Sequence, residues 1–374
     1  MIKAYKYKLN PSKAQEALLS ATLDNCRYLY NCALEQRIRA FKHSKASLNY
    51  YHQANTLKEV KEHLPEYKNI HSQVLQDVLK RLDKAYKAFY GRVKRGDKAG
   101  FPRFQGKDRF DSFTFPQYKQ APSKTVYIPK IGNIRIRLSR QIVGRIKTLT
   151  VKRDNCGDWF AVFTCDNVPD KPLEPTGLSV GIDRGIACLT AKSDEDEPEA
   201  APKYFNKAEK ALRKAQRRLA RRKKNSKRRE KARLAVAKIH RKIARQRTDY
   251  THKKSTELIQ NYDVIVLEDL NTQGMARSNL AKHILDAGWT MLLTQLTYKA
   301  EYAGRQIALV NPAYTSQTCS KCGHVAKENR KSQSKFKCTK CAYETNADCN
   351  AARNILGRAD LLGANVMLSD LCVA

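Results

Sequence analysis

The sequence predicts a multi-domain α+β protein on three observations. Apolar residues recur at helical spacing through the first quarter of the chain. Between about residues 99 and 168 they alternate in short runs broken by Gly, Pro, Asn and Asp. Beyond residue 177, strand-length apolar runs are separated by long helical stretches. With 374 residues, 41% of them hydrophobic, the chain can bury two or three cores, and it carries no 18-residue apolar stretch suited to a membrane span.

Taken in order, "IKAYKYKL" at 2–9 alternates as a strand does, and "NPSKAQ" opens a helix with Pro11 just ahead of its periodic part. Segments 14–42 and 56–95 are helical, with Leu75, Val78, Leu79, Leu82, Tyr86 and Phe89 on one apolar face. The runs "DSFTF", "TVYIP", "GNIRIRL", "RIKTLTVKRD" and "WFAVFTC" have the texture of a small antiparallel barrel or sandwich. Arg103, Lys107, Arg109, Arg135 and Arg137 lie there among Phe101, Phe104, Phe110, Phe113 and Phe115. This mixture suits phosphate contact and base stacking, although the alternation of a sheet produces the same pattern without a ligand. "VPDKPLEPTG" reads as a linker.

The second half alternates strands with helices, as α/β domains do. "GLSVGIDRGIACLTA" is an apolar strand containing Asp183, "DVIVLEDL" a short buried strand ending in Glu268 and Asp269, "HILDAGWTMLLTQLTYKAEYAG" a helix and "RQIALVNP" a further strand. Residues 207–247 form a helical arm with 20 Lys or Arg against two Glu, and "KKNSKRRE" marks the break between two antiparallel helices.

Charge narrows the function. Seventy-two Lys and Arg against 36 Asp and Glu leave +36, which implies a polyanionic partner. A membrane-surface protein would gather its charge on one amphipathic helix, whereas here basic residues recur along nearly the whole chain, so nucleic acid is the expected partner. The arm's density repels itself unless anions neutralise it. Arg213, Arg217, Arg218, Arg221, Arg222, Lys223, Lys224, Arg228 and Arg229, with Arg103, Lys107 and Arg109, are the candidate nucleic-acid contacts. The N-terminus has no apolar run followed by a cleavage site, so a reducing cytoplasm and free or metal-bound thiols are expected.

Cys319-x-x-Cys322 and Cys338-x-x-Cys341, with 15 residues between the pairs, have the spacing of a four-thiolate zinc ribbon. The four thiolates fill one structural Zn2+ site, leaving His324 and Cys349 as bystanders, while Cys26, Cys32, Cys156, Cys165, Cys188 and Cys372 read as packing residues. Seven positions past the second pair stands Asp348. It could cap or open the helix "CNAARNIL", or it could be a metal ligand. Asp183, Glu268 and Asp348 are separated by 85 and 80 residues; if folding brings them together beside a basic surface, they form a site for two Mg2+ ions.

"SVGIDRGI", "VIVLEDL", "NPAYTSQTCSKCG", the second CxxC and "NADCNAARNIL" resemble the ordered motifs of the TnpB family, transposon-encoded RNA-guided nucleases related to type V CRISPR effectors, over roughly residues 1–357. The resemblance implies that Asp183, Glu268 and Asp348 are RuvC-like catalytic carboxylates and that Cys319, Cys322, Cys338 and Cys341 hold zinc. It implies a wedge β-barrel from 1–10 and 96–170 and a helical recognition insertion at 11–95. After a linker at 171–176, a RuvC-like domain of RNase H type at 177–314 and 343–357 is interrupted by the zinc ribbon at 315–342, with a tail at 358–374.

The implied activity is cleavage of double-stranded DNA beside a short transposon-adjacent motif, directed by a transposon-derived guide RNA, in a nucleoid-associated prokaryotic protein acting as monomer or dimer. Arg330 resembles a position that faces the scissile phosphate, a role set against that of a solvated loop residue. Ala342 departs from the pattern, since Gly often follows the second knuckle as Gly323 follows the first. A guide-dependent repressor without cleavage is the alternative, which the intact acids oppose. A DDE transposase is a further one, opposed by the zinc ribbon between the second and third acids.

Overall fold

The computed structural model describes residues 1–361 apart from 108, 276 and 278–280, so the expected tail beyond 361 lies outside the described residues. The chain divides into two compact units, Met1–Pro169 and the remainder from Asp170.

The first unit opens with β1 (Lys3–Asn10), in which Tyr5, Tyr7 and Leu9 are buried between outward lysines. Ser12 then starts α1 (Lys13–Ser44) with a reciprocal cap, its hydroxyl accepting from Gln15 N while Gln15 Oε1 accepts from Ser12 N. Short helices α2 (Tyr50–Asn55) and α3 (Leu57–His63) lead to α4 (Ser72–Lys94), which buries Leu75, Val78, Leu79 and Leu82. Strands β2 (Ser112–Phe115), β3 (Thr125–Ile128), β4 (Gly132–Arg137), β5 (Arg145–Arg153) and β6 (Trp159–Asp166) complete a curled antiparallel sheet in the order β2-β5-β6-β1-β4-β3. The N-terminal strand thus sits between β6 and β4, strands that follow it by more than a hundred residues.

In the second unit, β7 (Ser179–Asp183), β8 (Ala191–Lys192), β9 (Val264–Glu268) and β10 (Gln306–Val310) form a sheet in the order β10-β9-β7-β8, parallel except for the β8 edge. Between its strands run α5 (Tyr204–Ala220), α6 (Lys227–Asn261), α7 (Thr272–Met275), α8 (Ala281–Ala287) and α9 (Trp289–Ala303). The expected single helix over 283–304 is two, broken at Gly288, whose φ of 73° is left-handed and ends the helical path.

Period-two alternation gives the sheet two buried faces. Val180, Ile182, Ile265 and Leu267 pack against Leu258, Ile259, Leu292 and Leu296, whereas Val266 and Val310 pack against Ile355 of α10 (Ala347–Leu361). Before α10, the hairpin β11 (Lys335–Lys337) and β12 (Glu344–Asn346) belongs to the cysteine module.

Candidate metal centre

The parallel register places Ile182 opposite Leu267 and Val310 opposite Glu268, so Asp183 and Glu268 terminate neighbouring strands at the same sheet end. That edge is where α/β sheets gather their ligands. Asp348 arrives from α10, and Gly181 is the reason it can. A Cβ at Gly181 would lie 2.2 Å from Ala352 O and 2.7 Å from Leu356 N, so only glycine lets α10 cross β7 this closely.

A residue not singled out in the sequence serves the start of α10 beside Asp348. Asn346 Oδ1 accepts from Asp348 N at 2.9 Å and serves the helix start. The Asp348 carboxylate is left for other partners: Oδ1 accepts from Arg330 Nη2 at 3.1 Å and Oδ2 from Cys188 Sγ at 3.4 Å. Glu268, 7% exposed, accepts at Oε1 from Thr315 Oγ1 at 2.6 Å. Buried Arg184 donates to the Glu268 carbonyl.

The Asp183 carboxyl responds to both of the other acids. Burial first, then the charges of Glu268 and Asp348, push the Asp183 carboxyl up to about 7, with Arg330 opposing. Glu268 is also raised, by burial above all, with Thr315 and Arg184 opposing. Such a set favours proton or cation uptake. It is looser than a single-ion cage: among the described residues, one group of His, Cys, Asp or Glu ligand atoms lies within 4.8 Å of one another throughout, and it is the four thiols.

Those thiols are Cys319, Cys322, Cys338 and Cys341, with Cys319 Sγ to Cys341 Sγ at 3.7 Å and Cys322 Sγ to Cys338 Sγ at 3.6 Å. A tetrahedron with Zn–S bonds of ~2.3 Å has sulfur separations of about 3.8 Å, so the cluster fits zinc. Burial raises the Cys338 thiol, but N–H groups of Cys341 and Lys340, with hydrogen bonds to the Cys341 and Cys322 thiols, outweigh it and bring it down to about 6, whereas burial pushes Cys319 up to about 12. His324 and Cys349 stay outside this cluster, as expected. Fully buried Asn329, unremarked in the sequence, ties the knuckles together by donating to Gln317 O and His324 O and accepting from Thr339 N and Oγ1. Asn350 and Asn354 clamp the first knuckle to α10 through Ser320 N, Thr315 O and Thr318 O. Ala342 stands at φ 58° where the first knuckle has Gly323 at 71°, so both knuckles use a left-handed residue after their second cysteine.

On the arm, Lys210, Arg213, Lys214, Arg217, Arg218, Arg221 and Arg222 line a groove along one face of α5. Lys223 and Lys224 lie in the turn before α6, and Arg228 and Arg229 in its first turn. Arg229 has structural work as well: its Nη1 donates to Leu219 O and Arg222 O at 3.0 Å each, closing the end of α5. Arg103, Lys107 and Arg109 are exposed on an irregular segment of the first unit.

This fold is shared with compact Cas12 effectors. The chain matches Cas12f1 in its complex with sgRNA and target DNA at a TM-score of 0.59, with 17% identity and coverage of 92% of this chain and 83% of that one. It matches the mini-RNA-guided endonuclease CRISPR-Cas_phi3 at 0.51, with 11% identity and coverage of 97% and 93%. At these identities the likeness is one of fold.

In sequence, residues 162–279 match the OrfB_IS605 family, described as "Probable transposase", 289–355 match the Cas12f1-like TNB domain, and 1–46 match a helix-turn-helix family. In this structure that last segment is a strand followed by one long helix. The RNA-guided DNA endonuclease InsQ of Escherichia coli K12 is 36% identical over 95% of this chain and 92% of its own length. An RNA-guided DNA endonuclease of Streptomyces pristinaespiralis is 32% identical over 95% and 88%. The chain belongs to the TnpB family.

Proposed function

We propose that this protein is an RNA-guided endonuclease of a transposable element, cutting double-stranded DNA beside a short adjacent motif, with Asp183, Glu268 and Asp348 as its catalytic acids. The observation that carries the reading is the convergence of those three acids at one sheet end, registered in the raised Asp183 carboxyl. Their excess negative charge suits hard divalent cations, and two Mg2+ ions there would supply an activated water and a stabilised leaving oxygen.

The remaining work falls to the chain's own groups. Thr315 holds Glu268 in place from the loop after β10. Arg330 compensates Asp348 and, once released, is placed to meet a phosphate oxygen. The zinc module fixes the start of α10 and with it Asp348. The cationic face of α5 supplies backbone contact to guide RNA, target DNA or both. Sequence choice rests with base pairing between guide and target. No helix among the described residues is long and apolar enough to cross a membrane, and residence in the cytoplasm beside the nucleoid belongs to the same proposal.

The test is to co-purify the protein with its RNA, identify that RNA, and offer a matching duplex with a randomised flank and Mg2+. Guided cutting that ceases in Asp183→Ala, Glu268→Ala and Asp348→Ala while guided binding persists is the expected result. Binding without cutting by the native protein would favour a repressor. The transposase description of the OrfB_IS605 family keeps one other product in view, and strand-transfer joints in the same reaction would identify it.

A further inference from the structure

The apolar stripe of α4 outruns its core. Leu79, Leu82 and Tyr86 are buried, yet the same three-and-four spacing carries on to Tyr90, 54% exposed, and Val93, 51% exposed. An irregular segment meets this end of the helix and brings Phe101, 47% exposed. Tyr86, Phe89, Tyr90 and Phe101 touch in a closed circuit. Ring centroids lie 5.2 Å apart for Phe89 and Tyr90, 5.3 Å for Phe89 and Phe101, 5.6 Å for Tyr86 and Phe101, and 6.1 Å for Tyr86 and Tyr90.

Folding fixes this circuit in place. Buried Arg37 lies over the Tyr86 ring, 5.1 Å from its centroid, while donating to Gln53 Oε1 and pairing with Asp83. The segment that carries Phe101 is fastened on both sides: Arg92 Nη2 donates to Gly100 O at 3.4 Å, and Asn31 exchanges two hydrogen bonds with the Gln105 backbone at 3.0 and 2.7 Å. Aromatic faces already held still lose little freedom when a ligand arrives. Of the five phenylalanines between 101 and 115, Phe110, Phe113 and Phe115 are buried in the core, which leaves Phe101 and Phe104 at the surface.

Charge says what such a surface takes. Residues 87–103 hold six Lys or Arg against Asp97 alone, and Asp97 is paired with Arg95 at 2.9 Å. Protein interfaces are poor in lysine at their centre, whereas flat apolar faces ringed by cations suit a polyanion that carries unpaired bases. A guide RNA presents such bases at once, while duplex DNA keeps its bases stacked until it is opened. We infer that Tyr90 and Phe101 form a platform on which an unpaired base of the guide RNA stacks, with exposed Lys94, Lys98 and Arg103 contacting phosphates of the same strand. The inference rests on the RNA-guided reading, adds to it a point of grip in the first unit, and is independent of whether the acids cut.

The test has two arms. In the first, the zinc-loaded full chain without added Mg2+ is titrated with a 12-nucleotide uridine RNA and with the same ribose-phosphate backbone lacking bases. The uridine strand should bind about 10-fold tighter. Tyr90→Leu with Phe101→Leu keeps apolar bulk but removes both flat faces, and should bring that ratio towards one with the salt slope unchanged. Tyr90→Trp with Phe101→Trp should retain the ratio, and Lys94→Gln with Lys98→Gln should flatten the salt slope and leave the ratio. In the second arm, the native protein purified with its own RNA is irradiated with ultraviolet light, and peptide mass spectrometry should find a ribonucleotide joined to Tyr90 or Phe101. A ratio near one for the native protein, a ratio that the folded double-leucine protein retains, or no ribonucleotide on either ring overturns the inference. So does a deoxyribonucleotide found there only after target DNA is added, or self-association of the native chain that the leucines abolish, which would make this face a contact between copies. The first arm needs neither guide nor cutting, so guided cutting stands or falls by its own assay.

Discussion

Asp183 ties the chemistry of the site to the stability of the fold. Its folded value of about 7 lies above the ordinary ~3.9 of an unfolded aspartate, so the folded state binds the proton more tightly and stability falls as pH rises through that window. Three units correspond to at most about 4 kcal/mol. Thermal unfolding of the zinc-loaded protein without added Mg2+ should show the melting temperature dropping between pH 5 and 7.5, Mg2+ restoring it at pH 7.5, and Asp183→Asn losing both responses. Arg330→Gln removes the cation that now holds Asp348, so Mg2+ affinity measured by calorimetry should rise several-fold while guided cutting slows. At this scale the sequence was legible where chemistry needs a residue type: the spacing of four cysteines foretold their cluster, and the family motifs pointed to three acids of which Asp183 does feel the other two. Asn329, Asn346 and Thr315 were not, because a hub, a cap and a hydroxyl donor acquire their roles only from partners that folding supplies.

Among the elements, α10 depends on two close fits. Gly181→Ala forces a methyl into the backbone at Ala352, and a loss of about 1–3 kcal/mol or more is expected in chemical denaturation, with guided cutting falling alongside. The second knuckle predicts a gain. Ala342→Gly relieves a left-handed alanine, worth about 1 kcal/mol, and zinc competition with a chelator should show tighter retention. Strand and helix identities follow from period two in β1 and period 3.6 in α4, and the turn between α5 and α6 falls where "KKNSKRRE" signals it. The break at Gly288 was missed because the apolar period runs through it, and a single glycine inside such a pattern does not declare its φ. The insertion of β1 between β6 and β4 also exceeds what local pattern can carry, since strand order depends on pairings over a hundred residues apart.

For the whole molecule, a net charge of +36 makes affinity for nucleic acid a function of salt. Replacing four arginines of the α5 face with glutamine should lower guide-RNA affinity at 0.15 M salt and reduce the slope of log affinity against log salt by about 3–4, roughly one per lost phosphate contact. Filter binding across a salt series measures both. The position of the cysteine module has a different reach. Arg330 and the approach to Asp348 both belong to the stretch those thiols organise, and Cys322 and Cys341 face solvent. Peroxide that oxidises the two exposed sulfurs would release zinc, loosen the guanidinium and the aspartate together, and leave a protein still able to grip its guide. A host under oxidative stress would then carry an element whose scissors are blunted while its aim is intact.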